Sequence, residues 1–233
     1  MGTDTMDLDQ LASYLRRDSR ELHKLATRGE LPGRKVGGAW RFARAEINLW
    51  LGTAMRGFDD VQLKHIEDTH PEPQEPLLTN LLPPACVEVP LAARTKDSIL
   101  RDIVRLAEQS WQVYDPEAVL DAIRAREEIA STAQPDGVAI LHPRRPLPAA
   151  LGEHVLAFGR TSSGVPFGGP DGTLTDVYFL VCCRDDKTHL RVLARIARLL
   201  LRADFLDQIR ATETPADALR VIREAEAELV TAS

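Results

Sequence analysis

At 233 residues, with 44% apolar and 27% charged side chains, the chain has room for one large globular domain or two smaller ones, and its composition is neither disordered nor fibrous. No apolar run approaches the ~18 residues a membrane span needs, and the acidic N-terminus lacks the basic and apolar regions of a signal peptide, so the expected setting is cytoplasmic, with no membrane partner. The net charge of −6 is uneven: residues 10–56 carry ten Lys or Arg against four Asp or Glu, whereas residues 59–76 carry six acids and one lysine, a basic module beside an acidic stretch.

The basic module opens with "DLDQLASYLRR", where Leu8, Leu11, Ala12 and Leu15 recur at helical spacing behind a capping Asp7. A second short helix, "SRELHKLATRG", follows a break at Arg17-Asp18. Asp18 is its N-cap, Glu21 stands where a capping box places its acid, and Gly29 ends it. Gly37-Gly38 reads as a tight turn between two short strands, and "ARAEINLWL" closes the module with a helix whose apolar face is Ile47, Trp50 and Leu51. Two short helices and a hairpin make a small winged helix-turn-helix. Ser19, Arg20, His23, Lys24 and Thr27 then face outward for the DNA major groove, and Arg34, Lys35 and Arg41 of the hairpin meet phosphates or the minor groove. Leu22, Trp40 and Trp50 are expected in its core. These features, above all "RGELPGRKVGGAWRF" with the closing "EINLWL", resemble the excisionase-type helix-turn-helix family, relatives of the winged helix of MerR-type regulators. The resemblance implies DNA as a partner, and one small winged helix implies a homodimer or a second DNA-bound protein.

The first domain is placed at 1–57. Residues 58–76, acidic and then proline-rich, read as an exposed linker in which His65 and His70 are solvated. From residue 77 to 233 strands alternate with helices. "CVEVPL" is a strand with Val87 and Val89 on one face. "TKDSILRDIVRLAEQSW" is an amphipathic helix capped by Thr95, and "DPEAVLDAIRAREEI" is a helix capped by Asp115 with Pro116 at its first position. The strands "GVAIL", "HVLAFGR" and "DVYFLVCC" follow, with a turn at "GGPDGT". The helices "THLRVLARIARLLLRADFLDQI" and "PADALRVIREAEAEL" end the chain. The fold class is α/β, a mixed sheet covered by helices, behind the small winged domain. Cys86, Cys182 and Cys183 show neither metal-ligand spacing nor a disulfide framework and read as buried thiols.

Sites in α/β sheets gather at the carboxyl ends of strands. His142 ends the strand "GVAIL" and enters the stiff, basic loop "PRRPLP", and His189 opens the helix after "DVYFLVCC". Arg144 and Arg145 follow His142 closely and can balance phosphoryl charge, and Ser131 and Thr132 offer hydroxyls. There is no Gly-rich Lys-Ser/Thr loop for a nucleotide, and no cofactor or metal is expected. A histidine that takes a phosphoryl group from another protein needs neither.

Residues 77–227 are similar to the fructose/mannitol-type enzyme IIA domains of the bacterial phosphotransferase system, including the nitrogen-regulatory IIA branch. The stretches that carry the similarity are "LLPPACVEVPLAARTKDSILRDIVRLA", "DPEAVLDAIRAREEIAST", "GVAILHPR", "VPFGGPDGTLTDVYFLVCC" and "HLRVLARIARLL". The resemblance implies that His142 accepts a phosphoryl group from a phosphocarrier protein and that His189 is the second active-site histidine. Arg144, Ser131 and Thr132 would steady the phosphoryl oxygens. His154 has no counterpart in that pattern and reads as structural. Leu141 stands where the family has proline, Pro143 where it has a small residue, and "AQPDG" where it has a Gly-rich loop. Three functions follow as expectations: a regulator coupling the IIA-like domain to DNA or a regulatory protein partner, a phosphoryl carrier serving a separate sugar permease component, and a degenerate IIA-like interaction module.

Overall fold

A computed structural model of the chain describes residues 5–15, 17–68 and 77–231. It divides into two compact units, Met1–Pro71 and Glu72–Ser233.

In the first unit a short strand β1 (Thr5–Met6) precedes α1 (Leu8–Leu15) and α2 (Ser19–Thr27), then the hairpin β2 (Arg34–Val36) and β3 (Ala39–Ala43), then α3 (Arg44–Ala54) and α4 (Asp60–Asp68). The caps are set by local chemistry. Asp7 Oδ1 accepts the Gln10 amide while Gln10 Oε1 accepts the Asp7 amide, a reciprocal capping box at α1. Asp18 Oδ1 accepts the amides of Arg20 and Glu21 at α2. The Glu21 carboxylate does not complete a second box as expected; it pairs with Arg17 instead. Gly29 leaves α2 at φ +75°, with Glu30 N bonded back to Leu25 O. Gly37 and Gly38 both take positive φ, as a two-residue turn between strands twisted the native way demands. The three antiparallel strands lie in the order β1-β3-β2.

The core of this unit differs from expectation in its aromatics. Leu11, Leu22, Leu31, Ile47 and Phe42 are fully buried, whereas Trp40 and Trp50 are only half-buried. Phe42, two residues along β3 from Trp40, takes the inner position, and Trp40 stacks on it from outside at 5.9 Å between ring centroids. The acidic stretch is also corrected in part. Residues 60–68 are helical, with a second Asp–Gln capping box at Asp59 and Gln62 and with Leu63 and Glu67 buried. His65 lies on that helix; His70 and the proline-rich residues 69–76 lie outside the described residues.

In the second unit α5 (Leu77–Leu81) leads to β4 (Val87–Leu91), α6 (Lys96–Glu108), α7 (Pro116–Ile129), β5 (Val138–Leu141), β6 (Val155–Val165) and β7 (Thr175–Cys182). Then come α8 (Asp186–Leu200), α9 (Phe205–Arg210) and α10 (Pro215–Thr231). The sheet order is β4-β6-β7-β5. β4 runs parallel to β6, β6 antiparallel to β7, and β7 parallel to β5. All four residues of β5 are buried, as a strand covered on both faces requires. Thr95 caps α6 in a reciprocal box with Ser98, and Asp115 caps α7 with Pro116 in its first turn.

The single long helix expected over residues 188–209 is two. α8 stops at Leu200, and the chain turns through an exposed Leu201 so that Phe205 and Ile209 of α9 enter the core. α8 is tied to the rest by a buried ion pair. Glu226 of α10, fully buried, takes Arg195 Nη1 at 3.0 Å and also accepts the Leu78 amide at 2.7 Å and the Thr79 amide at 2.9 Å. One carboxylate thus satisfies a guanidinium and the N-terminal amides of α5 together, the condition under which a buried charge is tolerated. Cys86, Cys182 and Cys183 are free and buried, and burial pushes the Cys182 thiol up to about 12.

Candidate functional site

Because β5 and β7 are parallel neighbours in register from Val138↔Val177 to Leu141↔Leu180, their carboxyl ends lie side by side. A histidine follows each of them. His142 directly follows β5; His189 sits in the first turn of α8, behind an Asp185 N-cap that accepts the Thr188 amide at 2.8 Å. The two imidazoles meet at 5.1 Å between ring centroids, and each is only 7% exposed. His142 Nδ1 lies 2.8 Å from the Ile140 carbonyl. A carbonyl can only accept, so Nδ1 holds the proton and the ring's lone pair falls on Nε2. The backbone of β5 therefore selects the tautomer and leaves the lone pair on Nε2.

His189 is kept neutral. Burial is the larger cause, the charge of Arg126 the second, and Asp185 opposes them only in part; its pKa is held down at about 4. Neither cause operates in the unfolded chain, where an imidazole titrates near 6.5. The folded protein resists a proton that the unfolded chain accepts, so this group's stabilisation is complete above about pH 6.5 and is lost as pH falls toward 4. Urea unfolding is expected to show about 3 kcal/mol less stability at pH 4 than at pH 7 from this group, a loss that a His189→Phe variant lacks. An equal pH dependence in that variant would refute the assignment.

Arg126, on the last turns of α7, was not singled out from the sequence. It is 2% exposed, donates from Nη1 to the Ala130 carbonyl at 2.7 Å, and acts electrostatically on His189. A signal for it exists: the buried face of α7 runs Val119, Leu120, Ile123 and then Arg126 and Glu127, so a charged pair occupies the apolar stripe. Glu127 explains the neighbouring hydroxyls. Its Oε1 takes both the amide and the hydroxyl proton of Thr132, and its Oε2 pairs with Lys96 Nζ at 2.9 Å. Thr132, expected to contact phosphoryl oxygens, has its one O–H committed to this buried carboxylate and serves to hold the loop. Ser131 Oγ donates to the Phe167 carbonyl and accepts the Ala133 amide. The Ala133↔Ala139 bridge lays this segment along β5.

The "AQPDG" stretch is a tight turn: Gly137, at φ +83°, packs so closely that a Cβ would come 2.8 Å from Arg210 Nη2. Arg210 holds the Asp136 carbonyl and a bidentate pair with Asp176. Arg144 and Arg145 are exposed beyond a buried Pro143. Leu141 simply continues β5, paired with Leu180. His154 accepts the Arg184 amide at Nδ1 and faces Asp185 from Nε2; it braces the β7–α8 connection. Among the described residues no group of three or more His, Cys, Asp or Glu side chains is placed to hold a metal ion, and no helix is long and apolar enough to cross a membrane.

In the first unit Arg20, His23, Lys24 and Thr27 line the exposed side of α2, with Ser19 half-buried at its start. Arg34, Lys35 and Arg41 are exposed on the hairpin. Arg34 reaches Glu46 at 3.3 Å, and Asp18, an acid in a basic surface, spends its carboxylate on the α2 amides.

Residues 80–225 match the family described as "Phosphoenolpyruvate-dependent sugar phosphotransferase system, EIIA 2", and residues 5–54 match a helix-turn-helix domain. A fructose-specific EIIABC component of Bacillus subtilis is 26% identical over 63% of the chain, a match that spans only 23% of that longer protein. The nitrogen regulatory protein of Pseudomonas aeruginosa is 30% identical over 61% of the chain and 91% of its own length. The crystal structure of the nitrogen regulatory protein IIA-Ntr from Neisseria meningitidis superposes with a TM-score of 0.57, at 22% identity, over 63% of this chain and 99% of that one, a likeness of fold.

Proposed function

The chain belongs to the EIIA 2 family of the phosphoenolpyruvate-dependent sugar phosphotransferase system, with a helix-turn-helix domain ahead of it, and on that premise we propose that it is a cytoplasmic regulator in which phosphorylation of His142 is coupled to DNA binding. The observation that carries the first half is the His142–His189 pair, two buried imidazoles at adjacent parallel strand ends, one with its tautomer set by a backbone carbonyl.

The reaction is an in-line transfer between nitrogens. The Nε2 lone pair of His142 attacks the phosphorus of a phosphocarrier protein's phosphohistidine. The new N–P bond forms as the donor's N–P bond breaks, and the electron pair of that bond returns to the donor imidazole. The proton stays on Nδ1 throughout, donated in a hydrogen bond to the Ile140 carbonyl. Arg126 and a neutral His189 meet the phosphoryl oxygens from within the domain and Arg144 meets them from the solvent side. The product adds up to two negative charges beside His189, and so alters what docks there.

For the second half, Arg20, Lys24, Arg34, Lys35 and Arg41 supply the cations that contact DNA phosphates, with a homodimer or a regulatory protein partner providing the rest of the affinity. Five cations bound to phosphates give a plot of log affinity against log salt with a slope of about −4.5 per copy. Mobility shifts with duplex DNA over a salt series, with and without prior phosphorylation, test the coupling. A phosphorylated chain whose DNA affinity and slope match those of the unmodified chain would leave a phosphoryl carrier for a permease component. A chain that neither labels nor binds DNA would leave an interaction module.

A further inference from the structure

We propose that His23, Lys35 and Trp40 form a notch between α2 and the hairpin that takes one phosphate of the DNA backbone, with Trp40 the positioning residue that holds the other two. The proposal rests on the DNA-binding reading above and names the part of it that no single cation explains.

The strand register sorts the hairpin into two faces. Arg34 stands directly opposite Arg41, and Lys35 opposite Trp40. Side chains alternate along a strand, so Arg34 and Arg41 share one face while Lys35 and Trp40 share the other, with Phe42 two residues further on. That second face is turned to α2: the Trp40 ring meets the His23 ring edge-on at 6.5 Å and 86°. Lys35 Nζ lies 5.3 Å from the centroid of the same indole, within reach of a cation–π attraction. One ring thus meets both the wing's inner cation and His23, an exposed side chain of α2.

Trp40 is itself held from below. It stacks on Phe42 at 17° between ring planes, and Phe42 is fully buried. Gly33 completes the seat: a Cβ there would come 2.5 Å from the Phe42 ring and 3.3 Å from Trp40, so only glycine lets the loop close over the stacked pair. Core filling alone would not need Trp40, since Phe42 already occupies the inner position. The indole instead sets the distance between wing and helix and fixes an otherwise mobile lysine. Where a helix enters a groove and a wing lies beside it, a strand of phosphates passes between them, and an ammonium with an imidazole fits a phosphate oxygen.

The test is the salt dependence of binding to a non-specific DNA duplex by the full chain. Removing one phosphate contact flattens the slope of log affinity against log salt by about 0.9. Lys35→Gln is expected to flatten it by about that amount. Trp40→Leu, which removes no charge, is expected to flatten it equally, and Trp40→Phe to restore most of the slope. The Lys35→Gln/Trp40→Leu double variant should be no flatter than either single one. His23→Ala, at an exposed position that leaves the fold intact, keeps the idea testable if Trp40→Leu unfolds: its effect on affinity should largely vanish in a Lys35→Gln background. A Trp40→Leu protein that folds and binds more weakly at an unchanged slope would overturn the notch, as would additive effects of His23→Ala and Lys35→Gln. Wild type that binds no DNA at low salt would instead sink the DNA-binding reading beneath it.

Discussion

Incubated with phosphoenolpyruvate and the general phosphotransferase proteins, the wild-type chain is expected to gain one acid-labile phosphoryl group, and His142→Ala none, by intact mass and by loss of the label in acid. The expectation of complete loss, rather than a reduced rate, follows from the geometry. A nucleophile cannot be replaced by its neighbours when they are built for another purpose. His189, at 5.1 Å, is a separate buried imidazole held neutral by burial and by the charge of Arg126, and His154 is engaged at both ring nitrogens with the β7–α8 connection. The alanine variant should fold, because the hydrogen bond to Ile140 that it gives up is worth only about 1 kcal/mol. Labelling that persists in His142→Ala would move the nucleophile elsewhere. No label on wild type with a donor shown to be active would leave the histidine pair as a framework for binding alone.

The second large effect is expected at Arg126. Its guanidinium is 2% exposed, has one arm on the Ala130 carbonyl, and projects its charge onto His189. A positive charge fixed in a water-poor site is worth far more to a developing phosphoryl group than one in solvent, because no reorganisation is needed when charge moves. Arg126→Met keeps most of the side-chain length and should lower the phosphorylation rate of His142 by about 10²- to 10³-fold. Arg126→Lys should recover only part of it, since an ammonium cannot hold the Ala130 carbonyl and a phosphoryl oxygen with the same planar fork. By contrast Arg144→Gln, at an exposed position, should cost less than tenfold, as solvent screens it. Single-turnover labelling with phosphocarrier in excess separates the three. A rate in Arg126→Met within a few-fold of wild type would show that the buried guanidinium serves the fold and not the chemistry.

Much of this architecture is written locally. Asp7, Asp18, Thr95 and Asp115 cap the helices they precede, and Gly29 and Gly37-Gly38 take the positive φ that other residues avoid. The apolar runs 138–141 and 176–182 become β5 and β7, parallel neighbours at one side of the sheet. Each of these outcomes depends on a residue and its neighbours within one turn or one strand. The errors share the opposite property. Trp40 reads as core by its chemistry, yet Phe42 holds the inner position because β3 pairs with β1 and β2 in one particular register. The long helix after His189 breaks at Leu201 because Phe205 and Ile209 gain burial only if the chain turns. Residues 60–68 have few apolar side chains, yet they form a helix that buries Leu63.

The site divides the same way. His142 is legible as an ionisable group at the end of an apolar run and at a matching family position, and His189 as a histidine opening a helix, because both signals lie in short stretches of chain. That the two rings meet, that Nδ1 of one is tied to a carbonyl, that the charge of Arg126 reaches His189 and that Thr132 belongs to Glu127 are decisions of the tertiary structure. They join residues up to 63 positions apart, from Arg126 to His189, through the parallel pairing of β5 with β7 and the packing of α7 beside them. By itself the sequence determined the two domains' fold types and the residues that could carry chemistry. Which of those side chains are spent on the framework was settled only by burial, since a charged or polar atom removed from water must find its partner before it is available for anything else.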